Sequence, residues 1–199
     1  MTVCGRRIWI LGTLSVLASG CTPARPSVPV PQSAPRRGPP NAKLTLQEIG
    51  DYECPFCAEV QPAVEQLMTT FGAELALVWR HYPLPSHPSA LLAAESAVEV
   101  KAQLGDEGFW RYHATLFQNQ AALTAPDLER YAASVGADVP RFSRALKERT
   151  HRAEVEADQR SIDQLKIERL MTPAFLLPGD HLVGAYPYDA LAQWVEDRL

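Results

Sequence analysis

The chain is poor in cysteine, in basic runs and in long apolar stretches. It has four cysteines in 199 residues, and past residue 21 only Cys54 and Cys57 remain. A zinc site built on these two would need about two more ligands. The five histidines, His81, His87, His113, His151 and His181, form no second tight ligand pair. No basic run exceeds Arg36-Arg37, and the net charge is −4. Neither feature suggests a nucleic-acid surface. The apolar run Ile8 to Ala18 is too short for the roughly 20 residues that span a bilayer. No internal repeat is evident. What is present is a hydrophobic fraction of 46% and a length that suits one domain plus appendages.

The appendages come first. Residues 1–20 read as an export signal, with Arg6 and Arg7 as its charged start and Ile8 to Ala18 as its apolar centre. Leu17-Ala18-Ser19-Gly20-Cys21 resembles the lipobox of bacterial lipoproteins, which implies a lipid on Cys21. Ala18 departs from it, since leucine is commonest there. The alternatives are an ordinary cleaved signal with an incidental cysteine, or an uncleaved anchor. Residues 21–43 are crowded with proline from Pro23 to Pro40 and read as a tether. Such a segment cannot build a core and favours polyproline II, at roughly 3.1 Å per residue. An exported location also permits stable disulfides.

The chemistry concentrates in Leu44 to Cys57. Leu44, Leu46 and Ile49 fit a buried strand. After Cys57 the apolar residues Val60, Val64, Leu67, Met68 and Phe71 recur at helical spacing. Pro55 suits the first turn of that helix. Cys54 then stands at the helix N-terminus, where unpaired N–H groups and the dipole favour a thiolate. A lowered pKa makes a cysteine both nucleophile and good leaving group. Cys57, one turn on, can reach back to close a disulfide. Redox exchange, a zinc site and a purely structural disulfide are the three readings of such a C-x-x-C pair. Glu48 lies inside the expected strand. Buried there, its pKa should rise, and it could exchange a proton with Cys57; the alternative is an edge-exposed glutamate. Asp51 and Glu53 are expected at an exposed turn.

Glu74 to Tyr82 reads as a second strand, parallel to the first. His81 and His87 are expected to pack and cap. Residues 89–168 read as helical throughout, with Trp110 and His113 as core and cap residues and a helix start at Thr124-Ala125-Pro126-Asp127. Ala174 to Leu177, the turn Pro178-Gly179-Asp180 and His181 to Val183 make a hairpin. Tyr188 to Leu199 closes as a helix with Leu191, Trp194 and Val195 inward.

The stretch EIGDYECPFC, with Thr172-Pro173 much later, resembles the DsbA-like branch of the thioredoxin family over residues 44–199. The resemblance implies an α/β thioredoxin fold interrupted by a helical insertion at about residues 89–168. It implies that Glu48 is the buried acid under the sulfurs, that Pro62 kinks the first helix and that Pro173 is a cis-proline facing the dithiol. With that bond cis, the Thr172 backbone can pair with an extended substrate beside Cys54, with Phe56 at the same surface. The chain departs from the family's pattern at Phe56, where the most oxidising members have histidine, and at Arg169-Leu170-Met171, where a glycine-containing turn is usual.

The implied function is an exported thiol–disulfide oxidoreductase of the periplasm or cell envelope, lipid-anchored through Cys21. It would use no metal and no cofactor beyond the redox-active Cys54–Cys57 disulfide. Its partners would be cysteine-containing exported proteins and a membrane redox protein, with no nucleic acid. Phe56 cannot donate charge or hydrogen bonds to a thiolate, so the potential should fall between roughly −120 and −270 mV. The expected role is oxidase; a reductase or isomerase, or a non-catalytic chaperone of the same fold, are the alternatives.

Overall fold

A computed structural model of the chain describes residues 29–199. The leader, Cys21 and the first part of the tether lie outside the described residues. The order is β1 (Arg36–Arg37), β2 (Leu44–Gly50), α1 (Pro55–Phe71), β3 (Leu75–His81), α2 (Ala90–Gln118), α3 (Ala125–Ser134), α4 (Val139–Glu148), α5 (Arg152–Asp163), β4 (Ala174–Leu177), β5 (Asp180–Val183) and α6 (Tyr188–Glu196). The strands form one five-stranded sheet in the order β1-β3-β2-β4-β5. β2 and β3 run parallel through the α1 crossover, in register from Leu44–Leu75 to Gly50–His81. β4 lies antiparallel to β2, and β5 antiparallel to β4. This is the thioredoxin arrangement with helices α2 to α5 inserted.

β2 and β3 are buried on both faces, as the near-continuous apolar run of β3 requires. One face packs Leu46, Leu77 and Phe175 against Val60, Val64 and Leu67 of α1 and Leu191 and Val195 of α6. The other packs Trp79 against Phe109, Tyr112 and Phe142 of the inserted helices. Gly50 ends β2 where a Cβ would sit 2.1 Å from the Trp79 ring, so only glycine fits.

Two expected boundaries are corrected. The tether does not run to residue 43, because Arg36–Arg37 adds β1 to the outer edge of β3. The Pro35 carbonyl accepts from the Trp79 N–H, and Arg37 reaches Glu65 of α1 at 2.7 Å. The open edge of β3 thus recruits the end of the proline-rich segment. The inserted block is also not helical throughout. α2 breaks at Gly105, which takes φ 68°, and α5 ends at Asp163. Beyond it Leu165, Ile167 and Leu170 pack beside Ile49, Ala174 and Leu176, at a spacing no single helix face supplies. Arg169 adopts φ 53° there, the left-handed conformation that a glycine would take without strain.

One buried cation ties the insertion to the sheet. Arg80 of β3 is 1% exposed. Its Nε donates to Asp158 of α5 at 2.6 Å, and its other nitrogens donate to Gln47, Ser161 and the Pro29 carbonyl. The second Asp158 oxygen accepts from the His81 N–H at 2.7 Å. Arg80→Ala strands the Asp158 carboxylate and should lower stability by about 3–5 kcal/mol. Urea unfolding of the two proteins measures the difference.

Candidate active site

β2 delivers the chain into a short loop, Asp51-Tyr52-Glu53, and α1 starts at Pro55 with Cys54 as its N-cap. The loop is held from several sides. The Asp51 carboxylate accepts from the Glu53 N–H at 2.7 Å and the Leu84 N–H at 2.9 Å, and pairs with His87 Nδ1 at 2.7 Å. The Ser89 N–H donates to Glu53. The Gln120 amide donates to the carbonyls of Tyr52 and Cys54, at 2.8 and 2.9 Å. Asp51 is therefore buried, at 2% exposure, and not at an exposed turn. Two amides and an imidazole replace the water it would otherwise need. Burial alone would lower the His87 pKa, but the Asp51 hydrogen bond and charge, with the charges of Cys54 and Glu53, raise it overall.

Cys54 and Cys57 are free thiols, 3% and 0% exposed. Their environments push them apart. The hydrogen bond from the Cys57 side chain is the largest influence on Cys54. Burial opposes it, while the backbone N–H groups of Cys57 and Phe56 add to it, and the Cys54 pKa falls to about 5. The helix end therefore contributes, but the neighbouring thiol contributes more. Cys57 moves the other way: burial first, then the bond and charge of Cys54, raise it well above an ordinary thiol. Across from α1, Cys54 Sγ lies 3.3 Å from the Thr172 carbonyl oxygen. The Thr172–Pro173 peptide is cis. Phe56 and Met171 stand exposed on the same residues' flanks, at 55% and 59%.

Glu48 is fully buried beneath this pair. Its strand neighbours are Trp79 on β3 and Phe175 on β4. Burial raises its pKa to about 7, against the lowering effects of Gln61 and Arg37, and Glu65 adds a small rise. The Gln61 amide donates to Glu48 Oε1 at 2.7 Å and to the Cys57 carbonyl at 3.0 Å. The other Glu48 oxygen has no partner. Pro62 lies inside α1, beside Gln61.

The structure thus brings together Cys54, Cys57, Glu48, Thr172, Pro173 and Phe56. Cys21 lies outside the described residues. Sequence reasoning missed Asp51 and His87, the carbonyl clamp of Gln120, exposed Met171, and a buried chain through Gln61, His113 and Tyr52. His113 carried a signal: a polar side chain on the apolar stripe of Phe109, Leu116 and Phe117. His81 packs as expected. It accepts from the Trp79 indole at 3.1 Å, and burial first among its causes lowers its pKa to about 4. Among the described residues no group of three or more His, Cys, Asp or Glu side chains is placed to hold a metal ion. No helix among them is long and apolar enough to cross a membrane.

A family model described as Thioredoxin matches residues 32–197. The structure of BdbD from Bacillus subtilis superposes with a TM-score of 0.79 at 22% identity, covering 88% of this chain and 97% of that one. The thiol-disulfide exchange protein alpha-DsbA2 from Wolbachia pipientis gives 0.73 at 20% identity, covering 83% and 87%. Among curated proteins, Na(+)/H(+) antiporter NhaA 1 of Salinispora arenicola is 38% identical over 158 residues, which is 78% of this chain. The chain spans only 23% of that relative's length. The match across nearly all the described residues, on a sheet and insertion shared with these solved folds, makes this chain a member of the thioredoxin family, with the DsbA-like helical insertion.

Proposed function

We propose that the protein is an exported thiol–disulfide oxidoreductase that exchanges disulfides with cysteine-containing proteins through Cys54 and Cys57, acting as an oxidase. The observation that carries this reading is the split between the two sulfurs: Cys54 lowered to about 5 beside the Thr172 carbonyl, and Cys57 raised and fully buried. The substrate approaches between Phe56 and Met171 and pairs with the Thr172 backbone. Its thiolate attacks Cys54 Sγ of the Cys54–Cys57 disulfide. That S–S bond breaks, Cys57 leaves as a thiolate, and it takes a proton from Glu48. The mixed disulfide joins the substrate to Cys54. A second substrate thiolate then attacks the substrate sulfur, and Cys54 departs as a stabilised thiolate. The substrate loses two electrons and the dithiol gains them. A membrane redox partner reoxidises the dithiol.

Running in reverse, the same steps reduce a substrate disulfide, and the reduction potential decides the direction. Phe56 is the observation on the reductase side, because it offers the Cys54 thiolate no charge. The low Cys54 pKa favours the dithiol form and supports the oxidase side. We place the domain in the periplasm or cell envelope, held by a lipid on Cys21 and the proline-rich segment that follows. Sodium–proton exchange is not part of the proposal, because the matched stretch is 23% of the antiporter relative.

Three outcomes test this reading. Reduced protein should catalyse insulin reduction, and Cys54→Ser should abolish it; retained turnover in that variant would support a site elsewhere. Alkylation rates against pH should give a Cys54 midpoint near 5. Cys57→Ala, which removes the main donor, should move that midpoint up towards the ordinary thiol value of about 8.5, while Cys57→Ser should move it less. Glu48 has a folded pKa raised from 4.5 to about 7. Its contribution to stability is therefore full below its unfolded pKa and is lost as pH rises through the folded one. Glu48→Gln should be more stable than the parent at pH 8 by roughly 3 kcal/mol, with the gap closing in acid. Denaturant unfolding at several pH values reads this directly.

A further inference from the structure

Between α1 and α2 a groove of about 340 Å³ opens to the surface, lined by Ala58, Gln61, Glu65, His113 and Phe117 among others. Its floor is not passive. The Gln61 amide nitrogen faces two acceptors, Glu48 Oε1 at 2.7 Å and the Cys57 carbonyl at 3.0 Å. Its oxygen faces His113 Nε2 at 3.2 Å. Turning the amide over would set an oxygen against two oxygens, so its orientation is fixed. Gln61 then requires a donor at His113 Nε2, which leaves Nδ1 as an acceptor for the Tyr52 hydroxyl at 3.1 Å. His113 is 3% exposed, and burial, chief among the causes, holds its pKa well below the usual range, consistent with this neutral tautomer. Every polar atom of the chain Tyr52–His113–Gln61 has a partner, and the chain ends on a carboxyl group whose other oxygen has none.

We propose that Gln61, held in one orientation by His113 and Tyr52 at the floor of this groove, is a positioning residue that sets the pH at which Glu48 accepts the proton of Cys57. The inference rests on the redox reading above and assigns that site a control element. In the reducing direction the step balances simply. The Cys57 S–H proton passes to the Glu48 carboxylate. The Cys57 thiolate attacks Cys54 Sγ of the mixed disulfide, and the substrate leaves as a thiolate that takes its proton from solvent. Glu48 then loses its proton to water. The Gln61 N–H favours the Glu48 carboxylate, so its loss must make Glu48 hold its proton more tightly. The other groups facing Glu48 are Arg37 from β1, Glu65 and Cys57 from α1 and Tyr52 from the loop, while His113 from α2 reaches it only through Gln61. Of these Arg37 lowers its proton affinity and Glu65 raises it, and neither is removed by changing Gln61.

The test is a carboxyl NMR titration of reduced protein labelled at glutamate, with the Glu48 signal assigned by its absence in Glu48→Gln. The pH profile of mixed-disulfide resolution is measured alongside. Gln61→Met keeps the bulk and removes the donor. The Glu48 midpoint should rise by about one pH unit, and the resolution profile should move with it. Gln61→Ala carries the same expectation if Gln61→Met does not fold. His113→Phe should shift the midpoint the same way by less, because the Gln61 oxygen then loses its partner and the amide is held only through its nitrogen. An unmoved Glu48 midpoint in a folded Gln61 variant overturns the proposal. A Glu48 midpoint that moves in the Gln61 variants but not in His113→Phe overturns the part assigned to His113. If Glu48→Gln itself leaves the resolution profile unchanged, the failure lies instead in the role given to Glu48 in the function.

Discussion

Two sulfurs one helical turn apart cannot both be ionised in a site this dry, and the fold decides which one is. Cys57 sits under the helix with no exposure, where a charge has no water to solvate it. It stays a thiol, and as a thiol it has a proton to donate. Cys54 is the acceptor. The low pKa of the first sulfur and the high pKa of the second are thus one interaction seen from its two ends. The helix N-terminus assists, since the amides of Phe56 and Cys57 also point at Cys54. The Thr172 carbonyl works in the opposite sense, because it accepts from a thiol and repels a thiolate. In the proposed exchange, the contact fits a sulfur that alternates between charged and bonded states.

Glu48 shows what such a site demands of the core. A carboxyl group lies in the middle of a sheet, between Trp79 and Phe175, with one oxygen unpartnered. A fold selected for stability alone would place an apolar residue there. Its neighbours limit the damage: Gln61 supplies one hydrogen bond, and Arg37 of β1 supplies an opposing charge. β1 is only two residues long, yet it anchors that charge against the sheet. The short edge strand therefore belongs to the site as much as to the fold.

Much of this was legible in the sequence, and the limits of legibility have physical causes. The strand–helix junction at Cys54 was readable because local signals agree there: apolar alternation, Pro55 at the first turn, then helical periodicity. The hairpin and closing helix were readable for the same reason. β1 was not, since two residues in a proline-rich stretch carry no pattern of their own and pair only because β3 leaves an edge open. The burial of Asp51 was hidden because its partners, Leu84 and His87, lie across a loop far along the chain. The chain through Gln61 and His113 was hidden in the same way. Each residue alone is ordinary, and only the packing of α2 on α1 makes them neighbours. The end of α5 was missed because Leu165, Ile167 and Leu170 are apolar enough to suggest one more helical turn.

The inserted helices are more than an appendage to the thioredoxin core. The loop that carries Cys54 is held by His87 and Ser89 at the entry to α2 and by Gln120 just past its end. Between these points α2 supplies His113 to the buried chain beneath the sulfurs. The same insertion is pinned to the sheet by the Arg80–Asp158 pair, 2.6 Å long and almost wholly buried. Contacts at both ends and the middle of one helix leave the loop little freedom to move apart from it. A shift of α2 relative to β2 would alter the Cys54 carbonyl bond, the Asp51–His87 pair and the Glu48 environment together. The insertion is therefore the frame in which the two sulfurs are kept different, and the reactivity of Cys54 is a property of both halves of the domain.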